Sequence, residues 1–336
     1  MKLLVIKQTS LGDVLHSTGH VRAIKQTWPD SELVLLTSTS CAQIFRHNPW
    51  VDHIIEVDRY GVKKKWLGEP VWAWTHMADV MRQIRQYQFD MAFDLQGLAK
   101  SVVFLYGAHA RQKFVKGHWP GLSGFRKPHL HAIAEMSGVL ELAGVKDVDT
   151  SMEFATSSAE EQVIDSLLET INPENQPLVI LSPYSRWQSK DWPLENFLLV
   201  AEGLVSHCKV VITGAAERAE EINNGLHGIS NPAITNLAGK LNLIEFAALV
   251  KRGNLMLTGD SFPMHVAAAC SIPLIALFGP TDETRVGPKS NASVVVRAPD
   301  CNACDRKECK RGCLGRITPE SIQPLVLDKL RIVTGD

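Results

Sequence analysis

Two doubly wound α/β domains facing each other across a cleft, each Rossmann-like, are predicted for this chain on three observations. Strand-length apolar runs alternate with helix-length amphipathic segments in both halves. The alternation breaks once, near Thr170 to Pro177, where INPENQP combines turn formers with a loss of apolar period. The length, 336 residues, exceeds one ordinary core and fits two domains of about 150 residues each. In such folds ligands bind at the carboxyl ends of the strands.

Taken in order, Leu3 to Ile6 is the first strand, followed by the tight loop Thr9-Ser10-Leu11-Gly12-Asp13. Val14, Leu15, Val21 and Ile24 then fit one face of a helix reaching about Trp28. Leu33 to Leu36, Ile54 to Val57 and Met91 to Phe93 read as strands, the last leading into Asp94-Leu95-Gln96-Gly97. Segment 59–85 is rich in both cations and tryptophan, and Glu135 to Leu142 reads as a helix. Beyond the break come a strand at Leu178 to Leu181, a helix over Trp192 to His207, a strand at Lys209 to Thr213 and a helix over Glu217 to Leu226. The expected domains are residues 1–170 and 178–315. A final helix over 316–336 is expected to pack back toward the amino-terminal domain, with Pro324 kinking or delaying it.

Composition bounds the function. The formal net charge of −1 argues against a chain built to wrap nucleic acid. No apolar stretch is long enough to span a bilayer, and the start MKLLVIKQTS has too short an apolar core for a signal peptide, so a cytoplasmic protein is expected. Seven cysteines, four of them near the carboxyl end, do not make a secreted disulfide framework.

Residues 239–282 read as a βαβ unit: strands at Leu255 to Leu257 and Leu274 to Phe278 flank a helix over Met264 to Cys270. Asp260 or Ser261 can cap that helix and Pro263 fits its first turn. Its amino terminus lies beside the loops Gly259-Asp260-Ser261 and Gly279-Pro280-Thr281, which suits a phosphate; an ordinary capped sheet turn is the competing reading.

Five motifs in this order and spacing carry a resemblance over nearly the whole chain. They are Ser10-Leu11-Gly12-Asp13; Asp94-Leu95-Gln96-Gly97; Lys190-Asp191-Trp192-Pro193; Leu237-Ala238-Gly239-Lys240; and Gly259-Asp260 with His265-Val266-Ala267 and Phe278-Gly279-Pro280-Thr281-Asp282. The set resembles glycosyltransferase family nine, the ADP-heptose:lipopolysaccharide heptosyltransferases, and Gly12 to His16 is similar to the first heptosyltransferase of the inner core. The resemblance implies the GT-B architecture, with acceptor on the first domain and nucleotide sugar on the second. It also implies metal-independent, inverting transfer, with no cofactor beyond the ADP-heptose donor.

Such a transfer needs a base, stabilisation of a departing diphosphate and exclusion of water. The resemblance makes Asp13 the base, where the residues alone suggest a helix cap. It makes Lys190 the cation on the diphosphate, with Ser185 and Arg186 beside it, Arg186 departing from the usual hydroxyl. Asp260, Ser261, His265, Gly279 and Thr281 match donor positions. Glu217 is a candidate for the ribose hydroxyls, with Glu220 and Glu221 competing, and Leu241 for the adenine. Phe262 stands where relatives carry glycine, which puts the donor sugar in question. The implied acceptor is an anionic glycolipid, lipid A bearing Kdo, at the inner-membrane surface. Lys63 and Lys64 are the candidates for it, with Arg111 and Lys113 extending the patch and Lys116 and Arg126 further along it; Trp66, Trp72 and Trp74 suit a membrane interface. A solvated charged face is the plainer reading of that run. His16 and His118 are expected to be structural. Cys301, Cys304, Cys309 and Cys313 have a spacing that zinc or an iron–sulfur cluster can use, but reduced structural thiols are expected. A monomer that binds no nucleic acid is expected. A non-catalytic nucleotide-sugar-binding protein and a relative acting on a later core heptose or a protein hydroxyl are the alternatives.

Overall fold

The computed structural model describes residues 1–127, 129–146, 149–229, 231–309 and 311–334. The chain divides into two compact units, Met1–Ala155 and Thr156–Asp336. The first holds β1 (Lys2–Ile6), β2 (Glu32–Ser38), β3 (His53–Val57), β4 (Phe89–Asp94), β5 (Ala110–Lys116) and β6 (Ser123–Phe125), all parallel, in the order β3-β2-β1-β4-β5-β6. The second holds β7 (Leu178–Ser182), β8 (Lys209–Ile212), β9 (Ile234–Asn236), β10 (Leu255–Gly259), β11 (Leu274–Phe278) and β12 (Ser293–Arg297), again all parallel, in the order β12-β11-β10-β7-β8-β9. Read from its own first strand, each sheet has the same doubly wound order. The order reverses once in each, between β1 and β4 and between β7 and β10, and at such a reversal the loops leaving the two strands splay apart and open a ligand crevice.

The central strands form because their apolar runs are unbroken. Leu3 to Ile6, Leu33 to Leu36, Leu255 to Leu257 and Leu274 to Phe278 have no exposed surface, as expected where helices cover both faces of a parallel sheet. β5, β6, β9 and β12 were not expected. They lie toward the sheet margins, where one face stays wet: ARQKFVK of β5 buries fully only Phe114 and Val115, and nothing in β12 is fully buried. β5, β6 and β9 hold no apolar run longer than two residues, whereas β12 does carry one, Val294 to Val296, which was not singled out. The first helix is split into Leu11–Leu15 and Thr18–Thr27.

The unit boundary falls at Ala155, ahead of the 170 expected. The turn formers of INPENQP instead connect a helix to a strand inside the second unit. That helix, Ser158–Ile171, packs on helix Leu243–Arg252, where Arg252 grips Asp165 with two bonds of 2.5 and 2.9 Å and Lys251 reaches Thr156 at 2.6 Å. The final helix, Pro319–Thr334, runs through Pro324 without interruption and packs on helix Leu194–Leu204 and β10 of its own unit. Ile322, Val326 and Leu330, spaced by one turn each, supply the buried stripe that directs it there. A proline near the start of a helix deletes one backbone bond, which such a stripe outweighs.

Candidate functional site

The residues singled out by motif gather at the two reversals, one group in each unit. In the second unit the loop leaving β7 contains a single 3₁₀ turn, Gln188–Lys190. Each residue of Lys190-Asp191-Trp192-Pro193 has its own task there. Asp191 Oδ1 accepts from the Ser185 amide at 2.7 Å, which closes the loop. Trp192 is buried edge-on against Phe197 and donates from Nε1 to the Ile317 carbonyl at 2.8 Å. Pro193 starts helix Leu194–Leu204. Lys190 is thereby delivered to the crevice, where its Nζ lies 2.6 Å from Asp260 Oδ2 and 4.4 Å from the Trp187 ring centre. Thr281 Oγ1 donates to the same carboxylate oxygen at 2.6 Å. Lys190 is therefore not a solvated loop cation. Gly259 makes this approach feasible, since a Cβ there would lie 2.8 Å from the Lys190 carbonyl.

Ser185 shapes the same loop, its Oγ donating to the Trp187 carbonyl at 2.8 Å, while Arg186 is exposed. Ser261 occupies the N-cap position of helix Phe262–Ala269, but its hydroxyl lies near Thr258 Oγ1 at 3.2 Å and not on the helix amides. The amino end of that helix keeps its anion-attracting character. Phe262 is the first residue of the helix, with its ring 6.4 Å from the Phe246 ring, and His265 is buried one turn further. Gly279 and Thr281 are held by Arg297, which donates to their carbonyls at 3.0 and 2.7 Å and pairs with Glu283. Arg297 was not singled out, although it directly follows the apolar run Val294 to Val296. Glu217 is exposed in the turn after β8, whereas Glu221, its competitor, is paired with Arg218 at 2.8 Å. The turn bearing Glu217 abuts Gly239, whose positive φ of 72° and 2.7 Å clearance to Ala216 Cα suit glycine alone. Leu241, half-buried, follows directly.

The cysteine segment braces this rim: the Asp305 amide donates to the Pro280 carbonyl at 2.7 Å and Ser189 Oγ to the Arg306 carbonyl at 2.8 Å. Cys301 and Cys313 are buried, Cys309 is half-buried and Cys304 exposed, and all four are free thiols. Burial, followed by the neighbouring thiols of Cys301 and Cys309, pushes Cys313 up to about 11. No group of three or more His, Cys, Asp or Glu placed to hold a metal occurs among the described residues.

In the first unit, Asp13 sits in the first turn of helix Leu11–Leu15 with Ser10, not Asp13, as the N-cap. Its Oδ2 accepts from the Ser10 amide at 3.1 Å and the Ser10 hydroxyl at 2.8 Å, which fixes the carboxylate while leaving it partly exposed. The loop before it is clamped from β4: Gln96 Oε1 accepts from the amides of Gln8 at 3.3 Å and Thr9 at 3.0 Å. Asp94 folds that clamp by accepting from the Gln96 and Gly97 amides at 2.8 and 2.9 Å. Beneath the loop lies Lys7, buried and donating to the Leu95 carbonyl at 3.3 Å. Burial pushes its ammonium pKa down; the Asp13, Asp94 and Glu135 carboxylates oppose that shift and Lys116 adds to it. Gln96 and Lys7 were not singled out, although Asp94-Leu95-Gln96-Gly97 was visible as a motif.

Lys63 and Lys64 are exposed on helix Arg59–Lys65, which leaves the carboxyl end of β3 on this rim and is tied to the Asp13 loop by an Arg59 to Thr9 bond of 3.2 Å. Arg111 and Lys113 do not share the rim. Arg111 stands at the amino end of β5 near Asp90 at 3.6 Å, and Lys113 donates to the Tyr106 carbonyl at 3.0 Å. Five residue steps along the strand, roughly 17 Å, separate Arg111 from Lys116, the β5 cation that does reach the rim and pairs with Glu135 at 2.7 Å. His16 is buried with its ring 5.7 Å from that of His131, and His118 is exposed.

Two parallel doubly wound units, one with a fixed carboxylate at its strand reversal and the other with a lysine, have the GT-B architecture of a large class of glycosyltransferases. Residues 77–314 match the model for glycosyltransferase family 9 (heptosyltransferase), and the chain belongs to that family. It is 25% identical over 312 residues to the lipopolysaccharide core heptosyltransferase OpsX of Haemophilus influenzae, covering 90% of this chain and 85% of that one. Its fold is similar to that of a family 9 glycosyltransferase from Veillonella parvula (TM-score 0.86, 23% identity, 98% and 97% of the two chains). It is also similar to the E. coli heptosyltransferase WaaC with ADP (TM-score 0.78, 20% identity, 98% and 100%).

Proposed function

We propose that the chain transfers heptose from ADP-heptose to the Kdo–lipid A inner core of lipopolysaccharide, with inversion and without a metal, as a monomer acting at the cytoplasmic face of the inner membrane. The observation that carries this reading is the furnishing of both strand reversals, with Asp13 fixed at one and Lys190 at the other. The likeness to the core heptosyltransferase OpsX and to WaaC with its ADP supports the same donor and product class.

Asp13 takes the proton from the acceptor hydroxyl, and the oxygen attacks the anomeric carbon from the face opposite the diphosphate. The bond from that carbon to the diphosphate oxygen breaks, and its electron pair leaves with ADP. A positioned base of this kind is worth roughly 10²–10⁴-fold in rate. Lys190 meets the charge that develops on the leaving group, together with the amino end of helix Phe262–Ala269. Asp260 holds Lys190, so a diphosphate on Lys190 competes with that carboxylate, while Thr281 remains as a second partner for Asp260. Lys63 and Lys64 meet the carboxylates and phosphates of the acceptor.

The test is incubation of the protein with ADP-heptose and Kdo–lipid A in the presence of a chelator, followed by mass spectrometry and measurement of ADP. Stoichiometric ADP release and a heptose-sized mass gain are expected. Donor binding without turnover would favour a non-catalytic binding protein, and turnover only on a longer core would move the acceptor outward.

A further inference from the structure

The tip of the helix pair in segment 59–85 carries apolar surface that the fold does not use. Helices Arg59–Lys65 and Pro70–Arg85 are joined by the turn 66–69 and packed on each other. Ala73, Val80 and Ile84 turn inward from the longer helix. Trp72 also serves the pair, stacked on His76 at 5.2 Å with Lys65 Nζ 4.6 Å above its ring. Leu67 at the turn is 94% exposed, Val71 75% and Trp74 64%, and Trp66 lies 5.5 Å from Trp74. Tyr60, one turn before Lys64, is exposed as well.

We infer that this tip docks on an anionic lipid bilayer, with Trp66, Leu67, Val71 and Trp74 entering the headgroup region and Lys63 and Lys64 lying along it. Charge selects the occupant. Segment 59–74 holds Arg59, Lys63, Lys64 and Lys65 against the single carboxylate Glu69, a net charge of +3 in a chain whose formal net charge is −1. Lysines interleaved with tryptophans match an interface that is negative at its surface and apolar just beneath. No helix among the described residues is long and apolar enough to cross a membrane, so attachment through this tip is peripheral. Each lysine on such a surface is worth about fivefold in partitioning. The docking deepens the reading of a glycolipid acceptor and rests on it for its purpose, but it is measured without turnover.

The experiment is co-sedimentation of the protein with vesicles of phosphatidylethanolamine and phosphatidylglycerol, and with vesicles of phosphatidylcholine alone. Binding to the anionic vesicles that weakens with salt is expected. A Leu67→Glu/Val71→Glu double variant, altered only at exposed positions, is expected to bind at least about tenfold more weakly. The same variant should retain turnover on a water-soluble, deacylated acceptor and lose it on acceptor embedded in vesicles. Equal binding to both vesicle types, or by both proteins, overturns the inference. So does an equal loss of turnover on the soluble acceptor, which would make the tip part of the sugar site. A wild-type dimer in sedimentation velocity that the double variant dissolves would assign the patch to a second copy. Vesicle binding by a protein that turns over no acceptor would leave the docking standing and overturn the proposed function alone.

Discussion

Gln96 and His20 illustrate how single side chains act at a distance from the chemistry. Gln96 touches no reacting atom, yet its amide oxygen is the acceptor for two consecutive amides of the loop that presents Asp13. Gln96→Met keeps the volume and removes that acceptor. Each lost bond is worth about 1 kcal/mol, and a displacement of about 1 Å at a reacting group can cost 10²-fold. The expected outcome is a kcat at least about tenfold lower with donor KM little changed, whereas Gln96→Glu, which still accepts, keeps more of the rate; steady-state kinetics of the three proteins checks this. His20 is wholly buried, its two ring nitrogens each 3.0 Å from a backbone carbonyl oxygen, of His16 and Ile133. Burial wins over those carbonyls and brings its pKa down to about 4. The native chain therefore binds this proton less readily than the unfolded chain. The stability it contributes is fully present above the ordinary histidine value and is lost as pH falls from about 6.5 toward about 4. Denaturant unfolding is expected to lose roughly 2 kcal/mol between pH 7 and pH 5 through this group, a slope that His20→Gln removes; parallel slopes would contradict it.

At the scale of elements, the loops leaving β7 and β10 are built against each other. Gly259→Ala places a methyl 2.8 Å from the Lys190 carbonyl, a backbone atom that can yield only if the whole 3₁₀ turn moves. Lys190 then parts from Asp260. The variant is expected to fold and to weaken both donor binding and kcat by about tenfold or more, read by calorimetric titration with ADP and by turnover. Much of this layout was legible in the sequence. The central strands announce themselves as unbroken apolar runs because both their faces are buried, and Ser10 to Asp13 and Lys190 to Pro193 stand where those runs stop. What was not legible has a physical cause. β5, β6 and β9 are half-wet and carry no long apolar run; β12 has Val294 to Val296, but that run does not tell that Arg297 at its end reaches back to the carbonyls of Gly279 and Thr281. Arg111 looked like a neighbour of Lys63 by charge alone, because only the strand register tells which end of β5 it occupies. The turn formers after Ile171 mark a loop within the second unit, since the helix before them is fixed by Arg252 and Asp165, a pairing across 87 residues of sequence.

At the scale of the whole molecule, one topology is used twice and furnished differently. The first unit offers a carboxylate over a buried lysine, and the second offers a lysine held by a buried carboxylate. That asymmetry accords with the roles proposed from the family resemblance, the base on the first unit and the leaving-group cation on the second. It predicts that the two functions separate on substitution: loss of the carboxylate abolishes chemistry and spares the donor. The direct measurement is turnover and ADP-heptose affinity of Asp13→Ala beside the wild type. A kcat lower by roughly 10²–10⁴-fold, with donor affinity unchanged, is the predicted result, and turnover within a few-fold of wild type would contradict it.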